Sequence, residues 1–144
     1  MAYFDWAPDM VIDNGIIDAD HRKLIELVNA LHDATTQGRG HEIVGDIITK
    51  LMGYTHEHIR REEALMESLN FPNLDKHRSQ HRLLTEKAQL LEQRFKAGQI
   101  TVASQLSTLL RDWLSLHIRR SDKEIVPYLK SGASQKSASS LRKP

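Results

Sequence analysis

Apolar residues recur every three or four positions through most of the chain, and each such run stops at glycine, proline or asparagine. That period is the mark of amphipathic helices. Asp18 stands where an N-cap would open a first helix reaching about Gln37, with His21, Leu24, Val28 and Leu31 on one face. Gly38-Arg39-Gly40 breaks it. A second helix is predicted from about His41 to Leu69, its inner stripe reading Val44, Ile47, Leu51, Tyr54, His58, Glu62 and Leu65. Asn70-Phe71-Pro72-Asn73 has the composition of a turn. A third helix, about 74–97, lines up His77, His81, Leu84, Ala88, Leu91 and Phe95, and Gly98 closes it. The fourth begins near Thr101 with Leu106, Leu110, Trp113 and His117 in register, and Pro127 should end or kink it.

Short connections between long amphipathic helices make neighbours antiparallel. The expected fold is all-α, an up-down-up-down four-helix bundle within residues 1–130. Residues 1–17 form an arm without sustained periodicity, and residues 131–144, Ser-rich, basic and free of aromatics, are expected to be a disordered tail.

Composition narrows the chemistry. The 144 residues suit one domain with a single core. The net charge of +1 hides an asymmetry: Lys136, Arg142 and Lys143 are three of the 20 bases, so residues 1–130 set 17 bases against 19 acids. Such a body lacks the basic face of a nucleic-acid binder. With no cysteine, disulfides, iron–sulfur clusters and thiolate zinc sites are excluded, which leaves nitrogen and oxygen donors for any metal. No apolar run approaches the roughly 20 residues of a membrane span. The first residues lack the pattern of a secretory signal, so a cytoplasmic location is the default expectation.

The polar residues on the inner stripes are the candidate chemistry: His21, His58, Glu62, His77, His81, His117 and Asp122. Each helix supplies at least one. Residues four apart on a helix differ by about 40° in direction, so His58 with Glu62, and His77 with His81, can each serve one centre. Either pair alone is a common surface pattern. Together they continue apolar stripes into the core, where unpartnered imidazoles and carboxylates would be costly. Hydrogen-bonded core histidines are the alternative at any one position.

The other histidines fall outside the cluster. His56 lies on the opposite face from His58. His32 is about 16 Å along the helix from His21, and His41 sits at a helix start. His117 and Asp122 fit less simply, because a spacing of five turns the second side chain about 140° away in a straight helix. A π-bulge between them is therefore expected.

Two octahedral metals offer twelve positions. Five histidines, two bridging carboxylates and one bridging hydroxide or oxide fill eleven, so a single position is free for a small ligand. Imidazole-rich ligation with oxygen bridges suits iron, although zinc, manganese or copper could enter the same donors. The Glu-x-x-His pairs of carboxylate-rich di-iron oxidases are absent from the inner positions.

Ile17-Asp-Ala-Asp-His21, His58-Ile-Arg-Arg-Glu62-Glu-Ala-Leu-Met66, His77-Arg-Ser-Gln-His81 and His117-Ile-Arg-Arg-Ser-Asp122 resemble the bacterial hemerythrins over about residues 4–130, including Trp6 and the Phe71-Pro72 turn. The resemblance implies two irons per chain: one on His77, His81 and His117, the other on His21 and His58, bridged by Glu62 and Asp122. It also implies reversible dioxygen binding for carriage, storage or delivery, with dioxygen as the partner and no enzymatic turnover. The same pocket would serve a sensor of oxygen, nitric oxide or redox state acting through a separate protein partner, or a peroxidase or nitric oxide scavenger. Ile59 replaces the Phe usual in the family, which predicts a looser apolar wall around the ligand and faster autoxidation.

Overall fold

In a computed structural model, which describes residues 2–129, four long helices occur in the predicted order: α1 (Ile16–Thr36), α2 (His41–Ser68), α3 (Leu74–Lys96) and α4 (Val102–Arg120). Short 3₁₀ turns lie at Pro8–Met10 and Asp122–Ile125, and no strand occurs among the described residues. Helix α1 packs against α2 and α4, and α3 against α4 and α2. This is the antiparallel bundle that the short connections imply. The expected tail, 131–144, lies outside the described residues.

Three helices stop by the same device. After α1, α2 and α3 the chain turns through a left-handed residue, Gly38 (φ 68°), Asn70 (φ 53°) and Gly98 (φ 102°). The next amide then reaches back to an orphaned carbonyl: Arg39 to Ala34, Phe71 to Met66 and Gln99 to Arg94. Glycine and asparagine tolerate that conformation, and the bonds satisfy the last turn.

The start of α1 corrects one expectation. Asp18 is not the N-cap: the helix begins at Ile16, with Gly15 before it. Asp13 does the capping, its carboxylate accepting from the Ile17 and Asp18 amides at 3.0 Å each. Asp18, buried in the first turn, points back and accepts from the amides of Ile12 and Asn14, both at 2.8 Å. The two acids thus tie the arm to the helix start without the reciprocity of a capping box, since Asp18 accepts from the amides on either side of Asp13.

The arm is tied down. Phe4, Met10 and Ile12 are buried in the main core, and Phe4 exchanges two 2.8 Å hydrogen bonds with the Asn29 side chain. Lys123 donates to the Val11 carbonyl at 2.9 Å, and Arg119 pairs with Asp9 at 2.7 Å.

The buried stripe of α2 is Val44, Ile48, Leu51, Met52, Thr55, His58, Glu62 and Met66. Ile47, Tyr54 and Leu65 lie half-buried at its edges. Apolar residues fill one end of the bundle: Leu24, Val28 and Leu31 from α1, Val44, Ile48 and Leu51 from α2, Leu84, Ala88 and Phe95 from α3, and Leu106 and Leu110 from α4. Beyond the histidines a second cluster, Met66, Phe71 and Ile125, closes the other end.

Candidate metal centre

Alternating helix direction decides where the polar positions meet. His21 is in the first turns of α1, His58 and Glu62 in the second half of α2, His77 and His81 in the first turns of α3, and His117 near the end of α4. In an up-down-up-down bundle all of these fall at one end. Asp122 joins them, but not through a π-bulge. Helix α4 ends at Arg120, and Asp122 opens a separate 3₁₀ turn, which frees it from the register of α4. Pro127 is no terminator either. It falls early in a final helical turn, 126–129, where a missing N–H costs little.

All seven side chains are buried, His21, Glu62 and Asp122 completely. Their donor atoms form two groups: Glu62 with His77, His81 and His117, and His21 and His58 with Glu62 and Asp122, each group within 4.8 Å. Glu62 spans them. Its Oε1 lies 2.6 Å from His77 Nε2 and 3.2 Å from His81 Nε2, while Oε2 lies 3.0 Å from His58 Nε2 and 3.4 Å from His21 Nε2. Asp122 divides likewise, with Oδ1 3.0 Å from His77 Nε2 and 3.2 Å from His117 Nε2, and Oδ2 3.1 Å from His21 Nε2. Each carboxylate therefore turns one oxygen to each half of the site.

Several of these approaches are close without being aligned as hydrogen bonds. Glu62 Oε2, His81 Nε2 and both Asp122 oxygens are buried and lack a hydrogen-bond partner. A buried group left unsatisfied typically costs about 1–3 kcal/mol. Four such atoms converging with further imidazole nitrogens fit a cation that accepts their lone pairs. The donors, five imidazoles and two carboxylates, suit iron among other first-row metals.

Charge runs through the cluster in the metal-free protein. Burial would depress His21, but Asp122 and Glu62 outweigh it and push His21 up to about 10. The same contest raises His77 to about 9. His58 also rises, burial being outweighed by Glu62 and Asp20. His117 goes the other way, with burial prevailing over Asp122. Burial would raise Glu62, yet the charge of His58 and the close approach of His21, His58 and His77 hold it well below the usual range. Asp122 is raised by burial and by Glu62, but His117, His21 and His77 bring it below the carboxylate range.

Outer partners were missed by the sequence reading. Asp20 accepts from His58 Nδ1 at 3.1 Å, and Glu63 from His81 Nδ1 at 2.7 Å. Each stands next in sequence to a member of the cluster, and that adjacency was the only signal available. Trp113 stacks on His117, with ring centroids 4.0 Å apart. His56 is exposed. His32 stacks on Tyr3 and His41 on Phe95, so none of the three joins the cluster, as expected. Ile59, next to His58 on α2, is half-buried. No helix among the described residues is long and apolar enough to cross a membrane.

Comparison with known proteins agrees with this geometry. Residues 13–129 match the family model described as the hemerythrin HHE cation binding domain. A bacteriohemerythrin of Pseudomonas paraeruginosa is 33% identical over 135 residues, covering 94% of this chain and 87% of its own. One from Methylococcus capsulatus is 31% identical over 130 residues, 90% of this chain and 98% of its own. Among solved structures, a wild-type hemerythrin superposes with a TM-score of 0.82 at 29% identity, over 89% of this chain and 98% of that one. Four helices in this order, a buried histidine–carboxylate cluster at one end, and a family match over most of the chain lead to one conclusion: the chain belongs to the hemerythrin family.

Proposed function

We propose that the chain binds dioxygen reversibly at a two-iron centre, as a carrier, store or donor of oxygen and not as a turnover enzyme. One observation carries this reading. Glu62 and Asp122 each direct one oxygen to a three-histidine half and one to a two-histidine half. In this reading His77, His81 and His117 would hold one iron, His21 and His58 would hold the other, and Glu62 and Asp122 would be shared between them. The half with fewer histidines would have room for the ligand. Iron held there would supply electrons to dioxygen on uptake and take them back on release.

The protein residues do the rest. Burial of all seven donors excludes bulk water and strengthens every electrostatic contact among them. Met66, Phe71 and Ile125 close the end of the bundle beyond the cluster. An enclosure of this kind suits a small ligand.

The test is an oxygen equilibrium on reduced, iron-loaded protein. One dioxygen taken up per chain, with a visible band that forms in air and disappears under argon through repeated cycles, supports the reading. Irreversible oxidation on first exposure would refute it.

A further inference from the structure

The two halves of the cluster are backed differently. Behind His81, Glu63 is partly exposed, and Arg78 approaches it at 3.4 Å. Behind His58, Asp20 is only 4% exposed and both of its oxygens are occupied. Oδ2 accepts from His58 Nδ1 at 3.1 Å and from Arg61 Nε at 2.9 Å. Oδ1 accepts from Arg61 Nη2 at 2.8 Å and from the Tyr54 hydroxyl at 3.2 Å. Arg61 thus clamps the carboxylate with a two-point fork, reaching in from a position 39% exposed. The other histidine of this half, His21, has a buried Nδ1 with no partner.

Resting on the metal reading above, we propose that Asp20 is the positioning residue of the two-histidine half and that Arg61 limits its influence by neutralising it. An imidazole whose Nδ1–H is held by a carboxylate presents its Nε2 lone pair inward in a fixed ring orientation, and becomes a stronger donor. A buried carboxylate without a counter-charge strengthens that donor further. The paired guanidinium, in a charge-assisted fork, restrains it. His58 is therefore the tuned ligand of this centre, and the tuning sits on the half that would take the ligand.

The two partners consequently act with opposite signs. Without the Asp20 charge, the Arg61 guanidinium keeps only the exposed Glu57 carboxylate at 3.8 Å, and beside His58 it opposes a dication at Nε2. Without the Arg61 charge, Asp20 supports the dication more strongly. A merely structural ion pair would instead weaken the site whichever member was lost.

Zinc titration of the full-length chain against a competing chelator separates these cases. Wild type should take up two zinc ions in two steps. Asp20→Asn should weaken one step by about 10- to 100-fold and leave the other in place, whereas Glu63→Gln should move the other. Arg61→Gln should tighten the step that Asp20→Asn weakens, and the double variant should recover part of the loss. In 15N-labelled zinc protein, the His58 Nδ1–H should exchange slowly with solvent, and Asp20→Asn should abolish that protection. Two zinc ions in wild type with loosened binding in Arg61→Gln, or with both steps shifted equally by Asp20→Asn, would overturn the positioning role alone. Should Asp20→Asn fail to fold, the sign of the Arg61→Gln effect still decides. A wild type that takes no zinc at these histidines would overturn the metal reading together with this one.

Discussion

Loading the centre with metal must expel protons, and the structure indicates how many. In the metal-free cluster the negative charges of Glu62 and Asp122 are met by protonated imidazoles, with His21 raised to about 10 and His77 to about 9. At pH 7 those values leave each ring protonated by a factor of about a hundred or more. A metal needs the neutral ring, so binding releases at least two protons. His58, also raised, adds to that number, whereas His117, depressed, is already neutral. Two obligatory protons make the apparent affinity climb by about a hundredfold per pH unit across the neutral range.

The stability of the metal-free protein carries the opposite sign. A raised histidine stabilises fully below its unfolded value of about 6.5, and that contribution is lost as pH rises through about 9 and then 10. The depressed carboxylates stabilise above about pH 4 and lose their contribution as pH falls through their lowered folded values. The metal-free bundle should therefore be most stable near pH 5–6, and metal should shift that optimum upward. Zinc calorimetry between pH 6 and 8, in buffers of different ionisation enthalpy, measures the protons directly. A release of less than one proton, or an affinity indifferent to pH, would refute the charge balance.

Other outcomes follow from the same structure. Chelation should lower thermal stability, because a ligand bound only to the native state at 100 times its Kd contributes about 2.7 kcal/mol; a melting temperature unchanged by chelator would contradict this. Phe95→Ala empties a core position at the end of the bundle away from the cluster. It should cost about 3–5 kcal/mol in denaturant unfolding while metal stoichiometry stays at the wild-type value. Ile59→Phe tests the family departure: the variant should autoxidise more slowly than wild type. An unchanged or shorter half-life would refute the looser wall.

The helices were legible because burial imposes a 3.6-residue period, and three of their ends because left-handed turns favour glycine and asparagine. The cluster was legible for a related reason: a polar residue continuing an apolar stripe has to face inward. Bonds that cross between elements left no such trace. Asp20 lies about 100° round the helix from His21, off the inner stripe, and only α2 brings His58 and Arg61 to it. Asp18 looked like an N-cap because its partners, the Ile12 and Asn14 amides, belong to an arm with no period of its own. The expected π-bulge failed on its premise that α4 continues through Asp122. The helix stops first, and the arm holds the following turn through Lys123 and Val11.

The most direct test of the central claim is an anomalous-scattering map of the iron-loaded protein at the iron edge. The account predicts two peaks, one flanked by His77, His81 and His117 and the other by His21 and His58, with Glu62 and Asp122 each touching both. A single peak, or iron bound away from these seven side chains, would contradict it.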